Sequence, residues 1–400
     1  MMNTLKNKLS VIWLLASLLA VPVLLASCDD DDDDNVGADP VIRYFRTTYA
    51  AQSDSMIVAG SLGQVIAIIG ENLQNVTAIR FNDCEATLNP CYITDKSIVV
   101  TIPTRIPTEI TNKVYLTARN GNEVQADFEA SIPSPLISSV SSLVFREGQN
   151  LTLKGNYFVG TEADPITVNF PGGATIEVTS TDYKTIKCQV PFGGANPGLL
   201  SVTTAYGTSY YSIKVNDISG SNVYANMDGK DLEIWCSDKA TVTNSNAPVS
   251  GNYLNYKGPG TSAWNWGNPF GTPGSMAPLD YTVTQNTCLA FEMRTNTPWT
   301  TSAPMSFQFG SGISGSWETD MLMWAPWADT GEFSTDGEWQ TVFVSVSGTL
   351  MDKTGADLNK TVSADDVLRG FCVMFWGQFA GSEGSCDVDI DFDNFRLLEK

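Results

Sequence analysis

From about residue 40 to the C-terminus, apolar residues alternate with polar ones in short runs separated by Gly, Pro, Asn and Asp. A period of two predicts half-buried β-strands, and turn residues recurring every 8–12 positions or so predict antiparallel sandwiches. Beyond residue 216 the strands are legible one by one. Leu289, Phe291 and Met293 alternate with Ala290, Glu292 and Arg294. Met305, Phe307 and Phe309 alternate with Ser306 and Gln308. Trp339, Thr341, Phe343 and Ser345 alternate with Val342, Val344 and Val346, and Phe371, Val373 and Phe375 with Cys372, Met374 and Trp376. Val388, Ile390 and Phe392 alternate with Asp387, Asp389, Asp391 and Asp393. One core face and one mostly polar face per strand suit a two-sheet sandwich of the jelly-roll kind. Helical periodicity is almost absent, with one turn predicted at Ala364–Leu368.

The first half of the chain repeats. Gly63-Gln64-Val65-Ile66-Ala67-Ile68-Ile69-Gly70-Glu71-Asn72-Leu73 lines up with Gly148-Gln149-Asn150-Leu151-Thr152-Leu153-Lys154-Gly155-Asn156-Tyr157-Phe158. Phe81 matches Phe170, Ile98 to Pro103 match Ile186 to Pro191, and Gly121 matches Gly207. A period of one small domain implies two related units. Their pattern resembles the IPT/TIG immunoglobulin-like family, over residues 40–133 and 134–216. These units hold no Trp and leave no aromatic cluster outside their alternating core, so they read as rigid spacers. Pro133, Pro135 and the stretch 215–220 read as the joints.

The first 27 residues read as an address. Lys6 and Lys8 precede an apolar stretch from Val11 to Leu25 that is shorter than the roughly 20 residues a membrane span needs. Leu25-Ala26-Ser27-Cys28 resembles the lipobox of bacterial lipoproteins, which implies lipidation at Cys28. Asp29 to Asp34 are six consecutive aspartates. They form a solvated spacer, and their position resembles the surface-export signal of Bacteroidota lipoproteins, so residues 28–39 are expected to be a lipidated acidic linker. The implied location is the outer membrane, lipid-anchored and facing outward.

A formal charge of −21 repels polyanions, so nucleic acid is excluded as a partner. The absence of His removes Ser-His-Asp and Cys-His catalysis and the usual zinc sites. Beyond Cys28 the cysteines are Cys84, Cys91, Cys188, Cys236, Cys288, Cys372 and Cys386, an odd number at irregular spacing. Bridges Cys84–Cys91 and Cys372–Cys386 stay open, but buried free thiols are the expectation for most.

All nine Trp residues beyond the leader lie after residue 217: 235, 264, 266, 299, 317, 324, 327, 339 and 376. Residues 217–400 are therefore read as a separate domain with a separate task. Pyranose rings have apolar faces and polar edges, and proteins meet the faces with aromatic rings. Trp264 and Trp266 sit in a Gly/Pro/Asn-rich loop with no periodic partner and are the sharpest candidates for a glycan platform. Trp324 and Trp327 flank Ala325-Pro326, Trp299 follows Pro298, and Trp376 is placed to floor a cleft on the polar face of its strand. These six are the candidate glycan-binding residues. Trp339 reads as core, and Trp235 and Trp317 are assigned to neither role.

The lipobox, acidic run, tandem IPT/TIG units and Trp-rich sandwich together resemble the surface glycan-binding proteins of Bacteroidota polysaccharide-utilisation systems, of the SGBP-B (SusE/SusF-like) type. Asn226-Met227-Asp228-Gly229, Pro298-Trp299, Pro326-Trp327, Gly337-Glu338-Trp339-Gln340-Thr341 and Asp391 to Leu397 resemble their C-terminal xyloglucan-binding domain. The resemblance implies non-catalytic capture of a polysaccharide, xyloglucan or another β-glucan, beside a SusC/SusD-like transporter and a surface endo-glycanase. Two rivals stand beside it. A surface adhesin would bind a host or partner protein through the IPT/TIG pair and show apolar patches there. A jelly-roll glycoside hydrolase would need two placed carboxylates, but Asp387 to Asp393 fails the Glu-x-Asp-x-x-Glu pattern at Phe392 and Asn394. That strand is expected to be a solvated face, with a structural Ca²⁺ as its alternative and no other cofactor.

Overall fold

The computed structural model describes residues 37–52, 55–235, 238–244, 249, 251–261, 269–300, 302–310, 318–379 and 385–400. The lipidation position Cys28 and the aspartate run lie outside them. The chain divides into two compact units, one ending at Pro133 and one running Ser134–Lys400. Among the described residues the α-helix is a single turn, Ala364–Leu368, its Ser363 side chain accepting from Asp366 N.

The sequence repeat is a repeat of structure. In the first unit Val65–Glu71 pairs with Val41–Thr47 on one side and Ser97–Thr101 on the other. The facing sheet runs Cys84–Glu85, Val76–Phe81, Lys113–Ala118, Glu123–Asp127. Residues 134–216 show the same order: Asn150–Asn156 lies between Leu136–Val140 and Thr185–Gln189, opposite Thr175–Val178, Ile166–Asn169, Ser201–Thr204, Gly207–Tyr210.

The conserved spacing of the motif has a physical cause at each position. Gly63 and Gly148 both have φ near +80°, where a side chain would be strained. The next residue's amide caps that turn, Gln64 accepting from Ser61 N and Gln149 from Arg146 N. Gly70 and Gly155 sit at equivalent register shifts, where a Cβ would lie 1.9 Å from Val41 O and 1.8 Å from Leu136 O. Asn72 and Tyr157 then take left-handed backbone, which turns the fully buried Leu73 and Phe158 into their cores.

Residues beyond 217 build two larger sheets. One runs Ala240–Asn244, Asn252–Thr261, Ser385–Glu399, Thr287–Thr295, Gln340–Ser345. The other runs Glu233–Ile234, Phe270–Gly271, Phe371–Phe375, Met305–Phe309, Leu322–Trp324. They face each other across aromatic contacts such as Tyr256 on Phe375 at 4.8 Å and Phe270 with Phe392 at 5.7 Å between ring centres. In Ser385–Glu399 the buried apolar positions are Val388, Ile390 and Phe392, then Phe395 and Leu397. The change of phase is a bulge at Asn394, whose φ is +53°.

The acidic face of that strand is a neutralised network and not a bare solvated face. Asp391 is buried and accepts from Arg294 Nε and Nη2 at 2.9 and 2.6 Å, from Asn255 at 2.8 Å and from Asn296 at 3.1 Å. Asp389 accepts from Lys257 at 2.8 Å, Asn296 at 3.0 Å and Asn255 at 3.1 Å. Opposing N–H donors thus occupy both carboxylates, and among the described residues no group of three or more acids or thiols is arranged to hold a metal ion.

The second immunoglobulin-like domain and the C-terminal sandwich are fused side to side. Phe343 and Leu398, on the outer face of the larger sandwich, pack against the core of residues 137–215. Val144, Val249 and Trp339 form a small shared cluster with Ile218 and Tyr253 at its margin. Thr341 N donates to Ser141 O at 2.8 Å, and its hydroxyl accepts from Leu143 N at 2.6 Å while donating to Glu292 at 2.7 Å. The stretch 215–220, expected to be a joint, is pinned at its start. Val215 is buried and exchanges backbone bonds with Gly198, and Asn216 bonds Leu143 and Phe145. The described cysteines Cys84, Cys91, Cys188, Cys288, Cys372 and Cys386 are free thiols, so neither bridge left open by the sequence forms.

Three outcomes follow. Glu292 and Arg396 are a fully buried ion pair at 2.8 and 3.0 Å, so Glu292→Ala strands a buried guanidinium and should cost about 3–5 kcal/mol in urea unfolding of residues 134–400. Residues 217–400 alone, with Phe343 and Leu398 bared, should unfold at lower urea than residues 134–400. Burial raises the Asp389 pKa, but hydrogen bonds from Lys257, Asn255 and Asn296 together with the Lys257 charge outweigh it and hold the carboxyl below its ordinary range. Its stabilisation is complete above the unfolded value of about 3.9 and is lost as pH falls through the folded one. The melting temperature of residues 134–400 should therefore drop as the pH falls below about 4, and drop less in Asp389→Asn.

Candidate functional site

Strand direction gathers the tryptophans at one end of the second sheet. Antiparallel pairing sets Phe270 beside Ile234 and Val373, and Met305 beside Phe375 and Trp324. The segments after Ile234, before Phe270, after Phe375, before Met305 and after Trp324 therefore emerge together. They carry Trp235, Trp264 and Trp266, Trp376, Trp299, and Trp327 respectively. The first sheet ends there as well, since Thr261 pairs with Ser385.

Within this end the tryptophans divide by burial. Trp299 is wholly buried, edge-on to Trp324 at 5.8 Å and Phe375 at 5.4 Å, with its Nε1 donating to Ser302 at 3.0 Å. Trp327 is wholly buried against Phe379. Trp376 is buried with Met321, Cys372 and Met374 in a small apolar cluster on the outer side of the second sheet. These three are corrected from platform residues to core. A ring without an accessible face cannot stack on a sugar, and the outer face of the strand 371–375 is itself covered and not a cleft. Trp324 is half-buried, its ring hemmed by Phe291, Trp299 and Phe333, so it braces the end from below. Trp264, Trp266 and Trp317 lie outside the described residues.

Trp235 is the aromatic the sequence left unassigned and the structure singles out. It is 38% exposed, and its N–H donates to Pro269 O at 3.2 Å. That bond sets it against the residue that follows the Trp264/Trp266 loop. Asp329 and Glu332 are exposed in the segment that follows Trp324, on the opposite edge of the sheet from Trp235. Trp339, read as core, is buried as expected, but against the second immunoglobulin-like domain, with Arg294 4.9 Å from its ring centre. Elsewhere the buried carboxylates Glu292 and Asp391 are both locked to arginines, which leaves neither as an open acid or base.

Comparison with known proteins places this arrangement. Residues 135–224 match the IPT/TIG domain family, and residues 217–399 match the family described as surface glycan-binding protein B xyloglucan binding domain. The crystal structure of the surface glycan-binding protein PbSGBP-B from Prevotella bryantii has the same fold, with a TM-score of 0.70 and 21% identity over 90% of this chain and 99% of that one. An SGBP-B from Bacteroides uniformis aligns over 90% of this chain and all of its own, at 18% identity and a TM-score of 0.49. An IPT/TIG domain-containing protein of Bacteroides ovatus is 24% identical over 96% of this chain and 97% of its own length. The chain is thus similar over residues 217–399 to the xyloglucan-binding domain of surface glycan-binding proteins B, and over residues 135–224 to the IPT/TIG domain family.

Proposed function

We propose that the protein binds a polysaccharide at the cell surface without cleaving it, with xyloglucan or another β-glucan as the favoured class. The carrying observation is that Trp235, the one exposed tryptophan among the described residues of the C-terminal domain, stands at the end of the sandwich beside Pro269, the residue that follows the stretch 262–268 with Trp264 and Trp266 in sequence. The described tryptophans beneath it are packed as a rigid base. Sugar faces would stack on Trp235, Trp264 and Trp266, while carboxylates and amides at the rim take the hydroxyls. The family description supports the glycan class. Lipidation at Cys28, an outward-facing outer-membrane position, and service to a SusC/SusD-like transporter and a surface endo-glycanase belong to the same proposal, supported by the lipobox and the acidic linker.

A second reading has an observation behind it. The immunoglobulin-like domains expose large apolar side chains, among them Val58 at 79% and Phe192 at 90%. Protein capture would need such side chains gathered into one contiguous patch.

Affinity gel electrophoresis of residues 37–400 against xyloglucan, mixed-linkage β-glucan, laminarin, mannan, xylan and pectin separates these readings. Retardation is expected with a β-glucan, with the polymer's length unchanged afterwards. Trp235→Ala should weaken it by about 5- to 100-fold, the worth of one stacked ring. The same substitution should leave stability within about 0.5 kcal/mol, whereas Trp299→Ala should cost about 3–5 kcal/mol. Retardation by no glycan would favour protein capture, and a shortened polymer would mean catalysis.

A further inference from the structure

The C-terminal domain carries a second concavity at the end opposite the tryptophans, where the strand Phe371–Phe375 begins. It is a groove of about 540 Å³ between the turn at 226–231 and the segment 273–280. That volume lies within the range of about 300–1,000 Å³ usual for small-molecule sites. Its 273–280 side is mostly apolar, with Met276, Ala277, Pro278 and Leu279, the 226–231 side is polar, with Lys230 and Asp231, and Val223 and Tyr224 lie buried beneath. Tyr224 is buried, its hydroxyl bonded to Val367 O, so the floor is fixed. Thr272 bonds the backbone of Phe371, and Leu279 N donates to Leu368 O, which holds the 273–280 wall to the domain.

The polar groups at the groove point to a ligand class. Lys230 Nζ spends one hydrogen bond on Val223 O at 3.1 Å and keeps further N–H donors. Asp231 and Asp280 are exposed, and among the described residues their carboxylates have no hydrogen-bonding or ionic partner. An anionic ligand would meet two carboxylates, and a cationic one would meet Lys230. A neutral ring with hydroxyl edges and apolar C–H faces satisfies all three charged groups and both walls. We infer that this groove is a second saccharide site, taking one or two neutral sugar rings of the same glycan. The inference rests on the glycan-binding reading above. A polymer engaged at both ends of one rigid domain is held by effective concentration more firmly than either contact alone would hold it.

The test titrates residues 37–400 calorimetrically with xyloglucan oligosaccharides and runs the polymer in affinity gels, using three variants. Asp231→Asn/Asp280→Asn keeps the shape and removes the charge, Ala277→Trp fills the groove, and Trp235→Ala weakens the other end. Two sites are expected in the parent. Either groove variant should leave one site and weaken retardation by at least about tenfold, while Trp235→Ala keeps the groove site. One site in the parent, unchanged by both groove variants, would overturn the second site and leave the first intact. No binding by the parent would overturn the glycan reading itself, and the groove with it. Unchanged melting temperatures in the asparagine variant separate lost binding from lost folding.

Discussion

The architecture of residues 134–400 hangs on one buried ion pair. Arg396 follows the Asn394 bulge, and its guanidinium bonds both Glu292 carboxylate oxygens and, at 2.7 Å, the carbonyl of Asn394. It therefore stabilises the conformation that changes the strand's phase, so that Phe395 and Leu397 enter the core after Phe392. Glu292 passes the connection to Thr341, and Thr341 to Leu143 of the preceding domain. A buried pair of this kind is weak evidence for net stability, because desolvation offsets the attraction. Its effect here is specificity. It fixes a bulge, three adjacent strands and a domain junction in one arrangement, and no apolar substitute could satisfy the buried carbonyl of the bulge and the hydroxyl hydrogen of the threonine together.

That junction changes how the tandem domains act. Val144 and Trp339 pack together, and Phe343 and Leu398 complete a core that belongs to the neighbouring domain. The immunoglobulin-like domain is thus part of the folded body that presents the glycan-binding end, and more than a spacer in series. The two family matches overlap over residues 217–224, the stretch in which Ile218 joins the Trp339 cluster and Val223 opens the pairing with Arg396.

Much of this was legible in the sequence, for physical reasons that differ by element. The strands could be read because burial on one face enforces a period of two. The repeat could be read because its glycines and Asn72/Tyr157 mark left-handed backbone, which constrains residue type directly. The tryptophans were harder. Pro298-Trp299 and Ala325-Pro326-Trp327 look like exposed turns, yet turn residues describe the backbone and say nothing of where a ring points. Trp376 misled for a related reason: the outer face of its strand is lined by Cys372 and Met374 and roofed by distant segments, and alternation reports parity, not coverage. Asp389 and Asp391 looked unpaired because their partners, Asn255, Lys257, Arg294 and Asn296, lie on two other strands whose register no local pattern gives.

The division of labour among the tryptophans follows from the size of a sugar-binding surface. A stacking platform must stay flat and dry while a polymer slides onto it, and an aromatic ring on a mobile support would spend its contact energy on being ordered. Trp299, Trp324, Trp327 and Trp376 fill the end of the sandwich with large rigid volumes. The same reasoning accounts for the fused domain beneath. A head held at a fixed angle to its neighbour loses little further freedom when a long chain binds, so modest individual contacts suffice. On the proposed function, the buried tryptophans serve as the support of the binding surface and not as its contacts.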